Sequence, residues 1–209
     1  MKWSNDADEL GASKVGAIVM GETPFQTNEA VRQIVLNAKA GVQSIDDGLY
    51  QDAKDRGNYL EPTLTEWASD KLDNLCPDNV VCNYTPPIDA HRIKEMRLCA
   101  SLDGILEVVG GELTIPNPQG DDISVSGFGA LEIKTDGWDD GPPRADQVIQ
   151  LQTQMLCAGF KWGVIAKLGP KLKFTLFPYR LSEKLVGIII EKVAEFWDRV
   201  DRDLPYPPI

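Results

Sequence analysis

An α/β (α+β) chain, built on a central mixed β-sheet flanked by helices, is what the sequence predicts. Three observations predict it. Helical periodicity fills about residues 1–75. Strand-like runs fill about 78–180, interrupted by a helical stretch at 145–158. An amphipathic helix closes the chain at about 182–201. Helices, then a strand meander, then helix, strands and helix is the order of a sheet packed between helices. With 209 residues and 43% hydrophobic content, the chain can bury one substantial core, so residues 1–209 read as a single domain.

The elements follow in order. Residues 8–20 mix small and apolar side chains and end at Gly21, which suits a short helix. Asn28 is placed to cap a second helix through about Ala40, with Val31, Ile34, Val35 and Ala38 on one face. Gly41 ends it. A third helix, from about Gln51 or Gly57 to Leu72, turns Leu60, Leu64 and Trp67 inward. Val80–Tyr84 reads as a strand stopped by Pro86 and Pro87. Met96–Val109 reads as a strand interrupted or bent near Asp103-Gly104. Gly110-Gly111 signals a turn, with a hairpin partner at Glu112–Ile115. Ser124–Thr135 alternates as a strand, and 136–144 is a loop. Trp162–Leu168 and Leu172–Pro178 form a hairpin around Gly169-Pro170. Ser182 caps the last helix.

Composition narrows the classes. A net charge of −11 argues against coating nucleic acid by charge alone, but carboxylates are what a metal site needs, and bound cations reverse the local field. The four cysteines have no CxxC spacing and only one histidine, His91, to join them. Reduced thiols are expected rather than a zinc or iron–sulfur site. No apolar run approaches the ~20 residues of a membrane span, and the N-terminus has no apolar core of a secretory leader. A soluble, cytoplasmic location is expected.

The segment most able to carry chemistry is Gly129-Ala130-Leu131-Glu132-Ile133-Lys134-Thr135. On a strand, alternate side chains share a face. Leu131 and Ile133 therefore point into the core, while Glu132 and Lys134 point together the other way. A second segment, Ser101-Leu102-Asp103-Gly104, sets a carboxylate inside an otherwise apolar run. Burying Asp103 unpaired would be costly, so a donor or cation partner is expected. If the two strands are neighbours, Asp103 and Glu132 can share one divalent ion, and oxygen ligands suit Mg2+ with Mn2+ as a substitute. Each piece alone is weak. An exposed Glu-x-Lys is ordinarily a solvated ion pair, and Asp before Gly is ordinarily a turn or bulge.

Taken in order, S-L-D-G, then L-E-I-K-T 29 residues on, then the helix Q-V-I-Q-L-Q-T-Q-M resemble the PD-(D/E)XK nucleases. The nearest group is the lambda-exonuclease-like, or YqaJ-type, viral recombination exonucleases. The upstream G-A-S-K-V-G-A-I-V-M-G-E-T-P-F-Q-T and R-G-N-Y-L-E-P fit the same group, so the resemblance spans roughly 11–165. It implies a restriction-endonuclease-like core. It implies a Mg2+-dependent deoxyribonuclease, most simply a 5′-to-3′ exonuclease on duplex DNA ends. By the same resemblance, Asp103, Glu132 and Glu61 are metal ligands, Lys134 is the catalytic lysine, and Gln150 lies near the scissile phosphate. Ser13 and Ser101 contact DNA phosphate. Gln147, Trp138 and Arg144 are further DNA-contacting candidates. A homo-oligomer, a ring-shaped trimer, and a single-strand annealing partner are also implied.

Two departures stand out. The acidic stretch Asp6, Asp8, Glu9 replaces the arginine that the group uses for a 5′ phosphate, and Gln147 replaces a tyrosine. Lys2, Lys14 or Arg144 are the available substitutes. Two rival readings stay open: an endonuclease with the same centre, and a non-catalytic DNA-binding subunit. Of the remaining features, His91 reads as a loop residue, and Trp138 either stacks on a base or packs on the domain. Lys167, Lys171, Lys173 and Arg180 form the best basic patch. The last helix is core or subunit interface.

Overall fold

The computed structural model describes residues 7–42, 51–137 and 139–208, with side chains described outside 51–54. Its elements are β1 (Leu10–Gly11), α1 (Ala12–Met20), α2 (Asn28–Lys39), α3 (Gln51–Asp73), β2 (Val81–Thr85), β3 (His91–Ile93), β4 (Leu98–Ala100), β5 (Gly104–Ile115), β6 (Ile123–Thr135), α4 (Ala145–Ala158), β7 (Trp162–Leu168), β8 (Phe174–Arg180) and α5 (Glu183–Asp201). A five-stranded sheet runs β2-β5-β6-β7-β8, and a small sheet runs β1-β4-β3. Both sheets are mixed. In the large one only β6 and β7 are parallel, and β1 is parallel to β4 in the small one. A parallel pair needs a crossover rather than a tight turn, and α4 supplies it. The expected mixed sheet between helices is therefore present, and β6 lies at its centre.

Period-two alternation explains why both faces of the large sheet are buried. Leu131 packs with Leu106, Val164 and the α3 residues Leu64, Ala68 and Leu72. Its neighbour Ala130 packs the opposite way, with Leu151 and Met155 of α4 and with Ile165 and Phe177. A third cluster joins α1, α2 and α5 to Leu98 and Ile149. The α4 and α5 boundaries match the sequence reading, and the Ser182 hydroxyl accepts the Leu185 N–H.

Several expectations change. Helix α1 begins at Ala12, because Leu10–Gly11 is drawn into parallel pairing with Leu98 and Cys99. The cap of α2 is Thr27, whose side chain accepts the Ala30 N–H. Trp67 is 41% exposed; Leu64, Ala68 and Leu72 take the inward face, while Trp67 stacks on Phe174. Gly110-Gly111 is not a hairpin turn. Strand β5 runs through it, and its register with β6 shifts between Val108 and Leu113. Gly110, at φ 86°, forms the resulting bulge, where a Cβ would lie 2.0 Å from the Asn79 carbonyl oxygen. The chain reverses instead through the polar loop that follows Ile115. The expected strand Met96–Val109 is split between the two sheets, with Met96 in a short 3-10 helix.

A buried arginine, paired to partly exposed carboxylates, holds α2 against the C-terminal tail. Arg32, 3% exposed, donates to both Glu29 oxygens at 2.9 and 2.8 Å and to Asp203 at 2.9 Å. Glu29 also accepts the Tyr206 N–H. The Arg32 guanidinium holds the Glu29 carboxyl down at about 2, against an ordinary 4.5. A depressed folded value means stability that is present above pH 4.5 and lost as pH falls through 2. Glu29→Gln should therefore cost about 1–2 kcal/mol at pH 7, allowing for solvent screening of the partly exposed carboxylate. It should also flatten the loss between pH 4.5 and 2, as measured by urea unfolding at several pH values.

Candidate active site

Asp103 sits where the chain leaves the small sheet for the large one. Its N–H donates to the Leu131 carbonyl at 3.2 Å, and its Oδ2 accepts the Ile133 N–H at 2.7 Å. These two bonds clamp it beside Glu132 on β6. Gly104 follows because nothing larger fits. A Cβ there would lie 2.5 Å from the Tyr84 ring and 3.2 Å from Leu131, and the Tyr84 hydroxyl donates to the Asp103 carbonyl at 3.4 Å. The Asp-Gly pair is a close-approach device at a strand junction.

Glu132 and Lys134 share a face of β6, as alternation requires, but that face is not open. Helix α4 covers it, and Glu132 is 2% exposed. A carboxylate this deep needs donors, and three are present. Lys134 Nζ and Gln150 Nε2 both donate to Oε1, the latter at 2.7 Å. Gln154 Nε2 donates to Oε2 and also, at 2.8 Å, to the Ser101 carbonyl. Lys134 Nζ donates to Gln150 Oε1 at 3.0 Å. Gln154 was not singled out from the sequence. The available signal was its position four residues after Gln150, on the same helix face. Its amide orientation follows from the network, since both groups it faces are acceptors.

Glu61, on α3, lines a cleft of about 750 Å3 together with Thr65, Ser69, Tyr84, Ser101 and Asp103. Among the described residues its lining holds five carboxylates (Glu61, Glu66, Asp70, Asp89 and Asp103) and no lysine, arginine or histidine. Glu132 and Lys134 do not line it. Among the described residues, no three acidic, histidine or cysteine side chains converge on one point closely enough to enclose a metal ion.

The electrostatics are those of a carboxylate excess. Burial, reinforced by Glu132, pushes the Asp103 carboxyl well above the usual range. Glu61 is raised by desolvation and by Glu132. Burial would lower Lys134, yet Glu132 and Asp103 outweigh it and hold the amine as an ammonium. One cation thus faces three carboxylates, and the surplus negative charge, on hard oxygen donors, fits a divalent ion such as Mg2+ or Mn2+.

The other candidates are placed as follows. Ser101 is exposed and lines the cleft. Ser13 is exposed in the first turn of α1, beside Ala12, which packs with Ala100 and Leu102. Gln147 is buried, and its side-chain carbonyl accepts the Arg144 N–H at 3.0 Å, capping α4. Arg144 forms a two-point contact with Asp146, both at 3.1 Å, and lies 3.8 Å from Asp136. Trp138 lies outside the described residues. Lys167 does not belong to a basic patch. It is 2% exposed, pairs in register with Lys134, and binds Asp136 at 3.1 Å and the Gly141 carbonyl at 3.0 Å, anchoring the 136–144 loop. His91 is on β3, edge-on to Phe160, rather than in a loop.

The fold belongs to a known class of architecture. The chain has the fold of the alkaline exonuclease LHK-Exo from Laribacter hongkongensis, matched with a TM-score of 0.62 at 19% identity over 95% of this chain and 91% of that one. The LHK-Exo structure in complex with dAMP matches with a TM-score of 0.65 at 18% identity, over 97% and 93% of the two chains. No family model and no curated protein matches the sequence. No described helix is long and apolar enough to cross a membrane.

A carboxyl raised in the fold destabilises it as pH rises above its unfolded value, 3.8 for aspartate. Asp103→Asn keeps an acceptor for the Ile133 N–H and removes the charge. In EDTA at pH 7–8 it should raise the melting temperature, by about 2–4 °C per kcal/mol recovered. The gain should shrink toward pH 4 in thermal melts.

Proposed function

We propose that the chain is a divalent-metal-dependent deoxyribonuclease, a single nuclease domain that hydrolyses phosphodiester bonds. Its action is exonucleolytic on duplex DNA ends, 5′-to-3′, in a phage-type recombination setting. The observation that carries this reading is the meeting of Asp103, Glu132, Lys134 and Gln150 across neighbouring strand segments and one helix, on the fold of an alkaline exonuclease. That LHK-Exo was solved with dAMP supports a nucleotide ligand for this fold.

In this reading Asp103 and Glu132 hold the metal, and Glu61, which lines the same cleft as Asp103, completes the ligand set. Bound there, a divalent ion supplies Lewis-acid polarisation of a phosphate oxygen and lowers the pKa of water. Lys134, held as an ammonium, donates to the anionic oxygens and stabilises charge that builds on phosphate. Gln150 bridges Lys134 and Glu132, so it fixes their relative positions and presents its amide to the attacking water or phosphate. Gln154 keeps Glu132 Oε2 turned into the protein, leaving Oε1 toward Lys134. The carboxylates that the described residues bring to the cleft disfavour a bare phosphate backbone, which is why the charge excess and the cation requirement belong together. Ser13, Ser101 and Arg144 are the neutral and cationic phosphate contacts. Gln147 supports them through its cap. A homo-oligomer, a trimer by the resemblance, and a single-strand annealing partner complete the reading, with a cytoplasmic location.

End-labelled linear duplex, incubated with and without Mg2+, tests it. Mg2+-dependent loss of the 5′ label first is expected, with Mn2+ substituting. Cleavage of covalently closed circular DNA would mark an endonuclease, and DNA binding without cleavage in any metal would mark a non-catalytic subunit. Glu132→Gln and Lys134→Ala should each lower kcat by at least about 100-fold. A folded Lys134→Ala protein of full activity contradicts the assignment.

A further inference from the structure

Gln154 is a neutral side chain sealed beside the charged groups of the candidate site. It is fully buried, one turn of α4 beyond Gln150. Its helix neighbours Leu151 and Met155 are packed against Ala100, Leu102 and Ala130, so its backbone is fixed. An amide nitrogen has two protons to give, and Gln154 Nε2 commits both. One goes to Glu132 Oε2 and the other, at 2.8 Å, to the Ser101 carbonyl. Its Oε1 is buried without a hydrogen-bond partner among the described residues. A buried carbonyl left in this way destabilises the fold, and an apolar methionine at the same place would avoid it.

The two bonds close a ring around Asp103 and Glu132. Asp103 is tied to both strand neighbours of Glu132, through the Leu131 carbonyl at 3.2 Å and the Ile133 N–H at 2.7 Å. Gln154 ties the head of Glu132 to Ser101, two residues before Asp103. Without it, Lys134 and Gln150 would hold the carboxylate at Oε1 alone, and the group could pivot. A cationic donor at this position would also hold Oε2, but it would cancel negative charge that a divalent ion needs. The amide holds the carboxylate and leaves its charge in place. Mg2+ demands near-octahedral oxygen ligands at ~2.0–2.1 Å, whereas Ca2+ accepts irregular sets at ~2.3–2.6 Å. A carboxylate pair held at fixed separation can therefore favour the smaller ion, and a loosened pair loses that preference.

We infer that Gln154 is a positioning residue that fixes the separation of Asp103 and Glu132, and so sets the preference of the site for Mg2+-sized ions over Ca2+. This inference rests on the reading of those two carboxylates as metal ligands. Gln154→Met keeps an unbranched side chain and removes both donors. Gln154→Asn keeps the amide on a stem one methylene too short to reach both acceptors. Mn2+ binding to the DNA-free protein, followed by the EPR signal of free Mn2+, reads affinity without catalysis, and Mg2+ and Ca2+ are ranked by competition. Each variant should weaken Mn2+ and Mg2+ about tenfold and Ca2+ by less, so the Mg2+-to-Ca2+ preference falls. A general loss of stability would not move that ratio. A folded variant of either kind with the wild-type ratio overturns the inference and leaves the ligand assignment standing. In the wild type, NMR should show the Gln154 side-chain amide protons exchanging slowly with solvent. Exchange at the rate of an exposed glutamine overturns the inference with no variant needed. A wild type that binds no divalent ion overturns the metal reading and this inference together.

Discussion

The buried carboxylate of Glu132 constrains the rest of this structure. An unpaired carboxylate beneath α4 would be prohibitively costly, so the surrounding elements are arranged to supply donors. Lys134 arrives by alternation along the same strand. Gln150 and Gln154 arrive from successive turns of the helix that makes the parallel β6–β7 connection. Through Gln154 the same carboxylate is linked to Ser101, and so to the segment that carries Asp103 across from the small sheet. The geometry of the site and the layering of the fold are one solution to one desolvation problem.

The charge balance around this residue opposes stability. Among the described residues three carboxylates face one ammonium, and burial, reinforced by Glu132, lifts Asp103 and Glu61 above their ordinary ranges. A protein selected for stability alone would neutralise one of them. Here the surplus is kept at the head of a cleft whose other charged walls are also acidic. Such an arrangement makes sense if a cation completes it, and sites that strain a fold in this way are where function is expected.

Much of the fold was legible locally. Helices α4 and α5, the β7–β8 hairpin and the alternating β6 carry periodicity and caps within their own residues, and the structure keeps them. Elements whose identity depends on a distant partner were not legible. Gly110-Gly111 has the same composition in a hairpin turn as in a bulge, and only the continued pairing of β5 with β6 distinguishes the two. Lys167 belongs by sequence with Lys171 and Lys173, yet its strand is buried and Asp136 claims it from 31 residues away. Trp67 is displaced to the surface because Leu64, Ala68 and Leu72 already fill the α3 face of the core.

The sequence by itself determined that Glu132 and Lys134 share one side of a strand, that Asp103 interrupts an apolar run, and that a glutamine-rich helix follows. These are consequences of the two-residue and 3.6-residue periods, which need no tertiary information. Tertiary structure alone decided that the Glu132 face is covered rather than open. It also decided that Gln154 joins Gln150 at the carboxylate, and that Gln147 turns back to cap α4. Each of these depends on which elements pack together, and packing is settled by burying the whole apolar surface at once, a condition no single segment encodes.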